Sequence, residues 1–229
     1  MELVDALCTT GAVRDFLDAP VDDEALVRIL DRARFAPSGG NRQGWRVVVV
    51  KDPTVRSGVR DIYVAGWAEY QAQRAAGLTP FAPITDIAAE ADALERASRD
   101  GVVADSFLGD FAENFDTVPA LLVVLVDIRM LAAVDRDLDR YTFAGGASVY
   151  PFAWSIMLAA REEGLRGVIT TIAIRREPTL KKLLNVNDEL AVAALIALGH
   201  PISQPKHLKR MAVEEFVTVD RVGGPPFGA

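Results

Sequence analysis

Cysteine and histidine are nearly missing from this chain. One cysteine, Cys8, and two histidines, His200 and His207, stand among 229 residues. An internal disulfide framework and a thiolate metal cage are therefore excluded, and no zinc-ligand spacing is present. Basic residues are also short: 25 Lys and Arg face 32 Asp and Glu, for a net charge of −7. A surface that tracks nucleic-acid phosphates draws its affinity from excess cations, so no nucleic-acid partner is expected. No apolar run approaches the ~20 residues of a membrane span, and no membrane partner is expected either. The start, Met1-Glu2-Leu3-Val4-Asp5, lacks the basic region and cleavage site of a secretory leader, which points to a cytoplasmic protein. A Walker loop, a nucleophile elbow and a Rossmann glycine fingerprint are all lacking; Gly145-Gly146 opens a helix without a third glycine. No acid–base pair stands out. A chain without reactive side chains of its own borrows its chemistry from a cofactor.

What is present is an ordinary globular mixture, 50% apolar and 25% charged, long enough for one domain over residues 1–229. A helix follows Pro20, with Asp22 as N-cap and Leu26, Ile29, Leu30 and Ala33 on one face; Pro37 ends it. Residues 45–50 read as a buried strand. Asp52-Pro53 opens a second helix carrying Val55, Val59, Ile62 and Tyr63 on one side, closed by Gly77 and Pro80. Residues 78–118 are the least regular part and read as a lid-like insertion, with a helix over 88–99. Phe107, Phe111 and Phe115 follow at a spacing of four, which places three rings on one helical face. Residues 120–127 form a second buried strand, and 144–163 a long, apolar central helix stopped by Gly164. Strands over 167–174 and 191–198 flank a short helix begun by Pro178. The C-terminal extension, 205–229, holds an alternating segment at 214–219 that reads as a strand in need of a sheet, its own or a partner's.

One stretch carries chemistry: Ala36-Pro37-Ser38-Gly39-Gly40-Asn41-Arg42-Gln43-Gly44-Trp45, between the first helix and the first strand. Gly39 and Gly40 allow close backbone approach to a ligand, and Ser38, Asn41, Arg42 and Gln43 offer donors and acceptors suited to a planar, polar-edged heterocycle. The same residues also suit a connection that caps a helix and turns into a strand.

These residues resemble the A-P-S-x-x-N-x-Q-P-W motif of the FMN-dependent nitroreductase superfamily, with Gly44 where proline is usual. The resemblance extends along the chain. Val13-Arg14-Asp15-Phe16 is similar to the opening R-x-S-x-R-x-F motif. Gly146-Ala147-Ser148, Leu158-Ala159-Ala160 and Gly164-Leu165 resemble the central helix, and Leu198-Gly199-His200-Pro201 the L-G-x-P that closes the fourth strand. Lys209-Arg210 before Val213-Glu214-Glu215 resembles the C-terminal tail.

The resemblance implies an α+β domain with a mixed, mainly antiparallel sheet flanked by helices, built as an intertwined homodimer that binds flavin across its interface. Arg14, Lys209 and Arg210 would then hold the FMN phosphate. Pro37, Ser38, Gly39, Gly40, Asn41 and Gln43 would serve the flavin rim, with Ser148 nearby and Thr170-Thr171 where the family offers backbone N–H groups to the flavin edge. Trp67, Tyr70, Phe107, Phe111 and Phe115 would line the substrate side, although an aromatic stripe also suits plain core. The implied activity is ping-pong hydride transfer through flavin N5, from NADH or NADPH to a small aromatic, nitro or quinone-like acceptor, with no side chain acting as acid or base. Dehalogenation, dehydrogenation, flavin destruction and non-enzymatic flavin storage are the alternatives. One departure stands out: aligned on Arg14 and Phe16, Thr10-Gly11-Ala12 replaces the motif's first arginine and its serine. Thr9 or Thr10 offers a hydroxyl, and nothing local restores the charge.

Overall fold

A computed structural model describes residues 2–100, 110–203 and 207–228. Four strands, β1 (Trp45–Val49), β2 (Ala120–Asp127), β3 (Arg166–Thr170) and β4 (Leu190–Gly199), form one sheet in the order β1-β2-β4-β3. Every pairing is antiparallel, with Trp45 opposite Val126, Val126 opposite Ala191, and Thr170 opposite Leu195. Around the sheet lie α1 (Leu3–Thr9), α2 (Asp23–Ala33), α3 (Pro53–Ala75), α4 (Ile87–Asp100), α5 (Tyr150–Glu162), α6 (Glu177–Leu183) and α7 (Val213–Phe216). The class is α+β, as the resemblance implies, and the sheet, expected to be mixed and mainly antiparallel, is antiparallel throughout among the described residues.

The central strands are apolar without alternation because both faces of the sheet are covered. On one face, Leu122, Val124 and Val126 pack with Ile29 of α2 and Phe152 and Ile156 of α5. On the other, Leu121, Val123 and Leu125 pack with Tyr63 of α3, Phe115 and Leu180. Asp52 caps α3 as expected, its carboxylate accepting from the Thr54 and Val55 N–H groups at 2.9 and 3.0 Å.

Four expectations are corrected. The central helix is in two pieces, a 3-10 turn over Ala144–Ser148 and then α5. Gly145-Gly146 favours neither, while Pro151 fits only a first helical turn, so the α-helix starts there. The strand expected to reach residue 174 stops at Thr170 and becomes a 3-10 turn, Ile172–Arg176. That turn lies against α3 at Gly66, where a Cβ would come within 2.7 Å of the Ile172 carbonyl. The helix expected over Phe107, Phe111 and Phe115 is replaced by turns at 110–114 and a 3-10 turn, Phe115–Thr117, while Phe107 lies outside the described residues.

The tail segment 214–219 is not a strand. Glu215 Oε1 accepts from the Ala212 N–H at 3.0 Å and holds the short α7. The chain then turns through Gly223-Gly224, so that Val219 N donates to Pro225 O and Phe227 N to Val217 O. Backbone groups that an added strand would offer to another sheet are used within the tail.

Candidate functional site

Residues 37–43 form a tightly bonded loop at the entrance to β1. Its hydrogen bonds explain its shape: Gln43 N donates to Ser38 Oγ at 3.0 Å, and the Gln43 side-chain amide donates to Asn41 Oδ1 at 3.1 Å. Gly40, Asn41 and Gln43 all have positive φ, at 62°, 52° and 50°. Two of these are not glycine, so the loop is held in a conformation that costs about 1–3 kcal/mol per such residue unless its surroundings enforce it. Ser148, buried beneath the loop, does so by accepting the Gly39 N–H at 3.1 Å. A Cβ on Gly39 would sit 3.2 Å from that hydroxyl. Gly44 is as crowded, since a Cβ there would lie 2.9 Å from Met130 Cβ. Ser38, Gly39, Gly40, Asn41, Gln43 and Ser148 are thus brought together, with Pro37, Asn41 and Gln43 facing solvent.

Asp135 supports this arrangement and was not picked out from the sequence. Its buried carboxylate accepts from the Phe143 and Ala144 N–H groups, the Thr142 hydroxyl and Arg140, at 2.9, 3.2, 2.7 and 2.9 Å. Those bonds, led by the Phe143 N–H, hold its pKa far below the ordinary carboxylate range. They fix the loop that leads into the 3-10 turn bearing Ser148.

A second group gathers where the N-terminal segment meets β3. Val13 N donates to Gly167 O at 2.8 Å, which holds the residue before Arg14 against β3. The Arg14 guanidinium stands 5.9 Å from the Phe111 ring, and its buried Nε has no hydrogen-bond partner. Arg14 also lines a cleft of about 720 Å³, together with Asp15, Asp18, Asp110, Phe111 and Asn114. Thr170 Oγ1 donates to Tyr63 Oη at 3.3 Å. Burial raises the Tyr63 pKa, opposed by that bond and by the Arg14 charge. Thr171 is exposed at the end of β3.

Thr9 and Thr10 do not offer a hydroxyl to a ligand. Arg161 donates to their Oγ1 atoms at 2.6 and 2.8 Å, and each hydroxyl also donates to a carbonyl of α1. The charge that the N-terminal segment lacks is brought to it by Arg161 from α5, distant in sequence.

The remaining candidates fall elsewhere. Lys209 and Arg210 are exposed, and Arg210 donates to the Lys209 carbonyl at 2.8 Å. Phe111, Phe115 and Trp67 belong to the second core rather than to a lid. Phe115 is stacked on Tyr63 at 4.2 Å between centroids, and all three rings are at most 6% exposed. The fourfold spacing reflected packing against the sheet. Tyr70 is half-buried, stacked on Trp67 at 4.9 Å.

The nitroreductase family model matches residues 11–200. A nitrobenzene nitroreductase of Ectopseudomonas oleovorans is 28% identical over 226 residues, covering 90% of this chain and 92% of that protein. Iodotyrosine deiodinase 1 of Rattus norvegicus is 24% identical over 200 residues, covering 87% of this chain and 62% of that one. Among solved structures, the FMN and NADPH-dependent nitroreductase NfnB of Sphigopyxis sp. strain HMH superimposes with a TM-score of 0.64 at 23% identity, over 95% of this chain and 98% of that one.

Proposed function

This chain belongs to the nitroreductase family, and on that premise we propose that it is an FMN-dependent oxidoreductase, working as a homodimer, that reduces a small aromatic, nitro or quinone-like acceptor with NADH or NADPH. The observation that carries the reading is the division of the candidate site between opposite edges of the sheet. The 37–43 loop enters β1, while Arg14 and Thr170 lie along β3, three strand spacings away. Trp45 is level with Ala191 of β4 and Thr170 with Leu195, so the two halves are also offset along the strands. At ~4.8 Å between strands and ~3.4 Å per residue, the halves stand roughly 20 Å apart within one chain. A flavin that meets both takes one half from each of two protomers. The unburied side chains of Leu3, Val4, Leu7 and Phe216 agree with a second copy covering them.

The residues fit the cofactor. Arg14 has a buried Nε without an acceptor, which suits a phosphate oxygen. The strained loop presents Asn41 and Gln43 outward with donors and acceptors for a heterocyclic edge, and Thr171 stands exposed at the end of β3. Bound FMN supplies reversible two-electron chemistry that no side chain here offers. The chain's own part is to bind and orient: Arg14 neutralises the phosphate, Ser38 and Ser148 hold the loop in its binding shape, and the apolar layer under β3 keeps water from one side. The names of the relatives support nicotinamide-driven nitro reduction. Reductive dehalogenation is the second reading, favoured by the deiodinase relative.

The test is an absorbance spectrum of the purified protein, followed by NADH and NADPH oxidation with nitrobenzene, benzoquinone or a halogenated phenol. Oxidised-flavin bands and turnover with the nitro or quinone acceptor are expected. Turnover only with the halogenated phenol selects the second reading. Bound flavin without turnover makes the protein a flavin binder, and failure to take up FMN overturns the proposal.

A further inference from the structure

The turn that follows β3 is held by one row of α3 at three points. At its start, Thr170 Oγ1 donates to Tyr63 Oη at 3.3 Å. In its middle, the Ile172 carbonyl lies so close to Gly66 that a Cβ there would come within 2.7 Å of it. At its end, Glu69 takes two arginines. Its Oε2 accepts from Arg175 at 3.0 and 3.2 Å, and its Oε1 pairs with Arg176 at 2.6 Å. Arg175 is held a second time by the Phe81 ring, whose centroid is 4.7 Å from the guanidinium. Tyr63, Gly66 and Glu69 follow one i, i+3 row of the helix, and residues 170–176 run along that row. Both side chains in the row are buried, Tyr63 at 1% and Glu69 at 7% exposure.

An apolar face would secure the turn without a buried acid, as Val59 and Ile62 secure the earlier part of α3. Replacing a buried ion pair by apolar side chains is commonly neutral or stabilising, so what Glu69 gives the fold is position rather than stability. Thr171 lies between the first two contacts and is exposed at the end of β3. We propose that Tyr63, Gly66 and Glu69 are positioning residues that fix Thr171 and its backbone against the edge of the bound flavin. The inference rests on the function proposed above, and it concerns how the flavin is tuned rather than whether it binds. Reduction places negative charge on the flavin, so a donor held at its edge favours the reduced form and raises its potential. A turn that drifts outward gives up that preference, while Arg14 still retains the phosphate.

The experiment loads full-length protein with FMN and measures the midpoint potential of the bound flavin, its absorbance spectrum and the ligand-free melting temperature. Tyr63→Phe, Gly66→Ala and Glu69→Gln are compared with Val59→Ala, a core truncation on the same helix. All four are expected to take up FMN. The first three should lose about tenfold in preference for reduced over oxidised flavin, a fall of ~30 mV for a two-electron couple, with shifted flavin bands. Val59→Ala should lower the melting temperature and leave the potential at the native value. Tyr63→Phe keeps the ring that stacks on Phe115 and removes only the hydroxyl, so it decides the matter if Glu69→Gln does not fold. If the variants of the row keep the native potential and differ only in melting temperature, the row is structural. The inference is then overturned while the flavin reading stands. If the native chain takes up no FMN, both fall.

Discussion

The loop half and the arginine half of the candidate site are built on opposite plans. In the loop half, Ser38 and Ser148 each accept a backbone N–H, and Asn41 accepts from Gln43. In the arginine half, the Arg14 guanidinium keeps a buried Nε without a partner. One region is complete in itself, and the other keeps an unused donor. Under the proposed function, the first sets shape and selectivity, whereas the second supplies most of the ligand's binding free energy. It follows that variants in the two halves should move stability in opposite directions.

The largest effect is expected at Arg14. Arg14→Met should weaken FMN at least a hundredfold, through loss of charge-assisted bonds and of the phosphate's counter-charge. The ligand-free melting temperature should stay level or rise, because an unpaired, partly buried cation is removed. A marked fall in that temperature would show that Arg14 is a structural residue. In the loop half the sign reverses. Ser148→Ala leaves the Gly39 N–H without its acceptor, so calorimetric unfolding should show a loss of about 1–2 kcal/mol, with FMN weakened roughly tenfold.

Acid provides a third, smaller contrast. Folding lowers the Asp135 pKa, so its contribution is fully present above the ordinary carboxylate value, ~4, and is lost as pH falls toward the lowered one. Melting temperature measured from neutral pH downward should fall less steeply in Asp135→Asn than in the native chain. The smallest effect is expected at Trp45, whose ring stacks on Phe152 at 4.7 Å. Trp45→Phe keeps that stack, so flavin content should hardly change, whereas Ser38→Ala and Asn41→Ala should each lower it. Equal content in all three would make the loop a plain connection.

The loop half was legible in the sequence because it is contiguous. Ala36 to Trp45 carries its glycines, its hydrogen-bonding side chains and its entry into β1 within ten positions. The helices and strands were legible too, from caps such as Asp52-Pro53 and from the apolar run of β2. Arg14 was legible too, from its place in the opening motif, whereas Arg161 was not, since it meets Thr10 across a sequence separation of 151 and no local pattern marks the pair. Nor was Asp135, one acid among 32, whose role lies in backbone donors eight and nine residues ahead of it. The tail was misread for a related reason. Alternation at 214–219 suits a strand, but Glu215 and the turn at Gly223-Gly224 satisfy its backbone locally. Aromatic spacing misled in the same way, because Phe111 and Phe115 are held by Tyr63 and not by a helix of their own.

The central claim is that each flavin site takes its arginine half from one protomer and its loop half from the other. Mixed dimers test it directly. One protomer carries Arg14→Ala and the other Gly39→Val, which crowds the loop against Ser148. Each variant alone should form dimers that bind no FMN, since every site then lacks one half. In the mixed dimer one site has both defects and the other has none, so the account predicts one FMN per two chains. A mixed dimer that binds no FMN, like its parents, would place both halves in the same protomer and contradict the account.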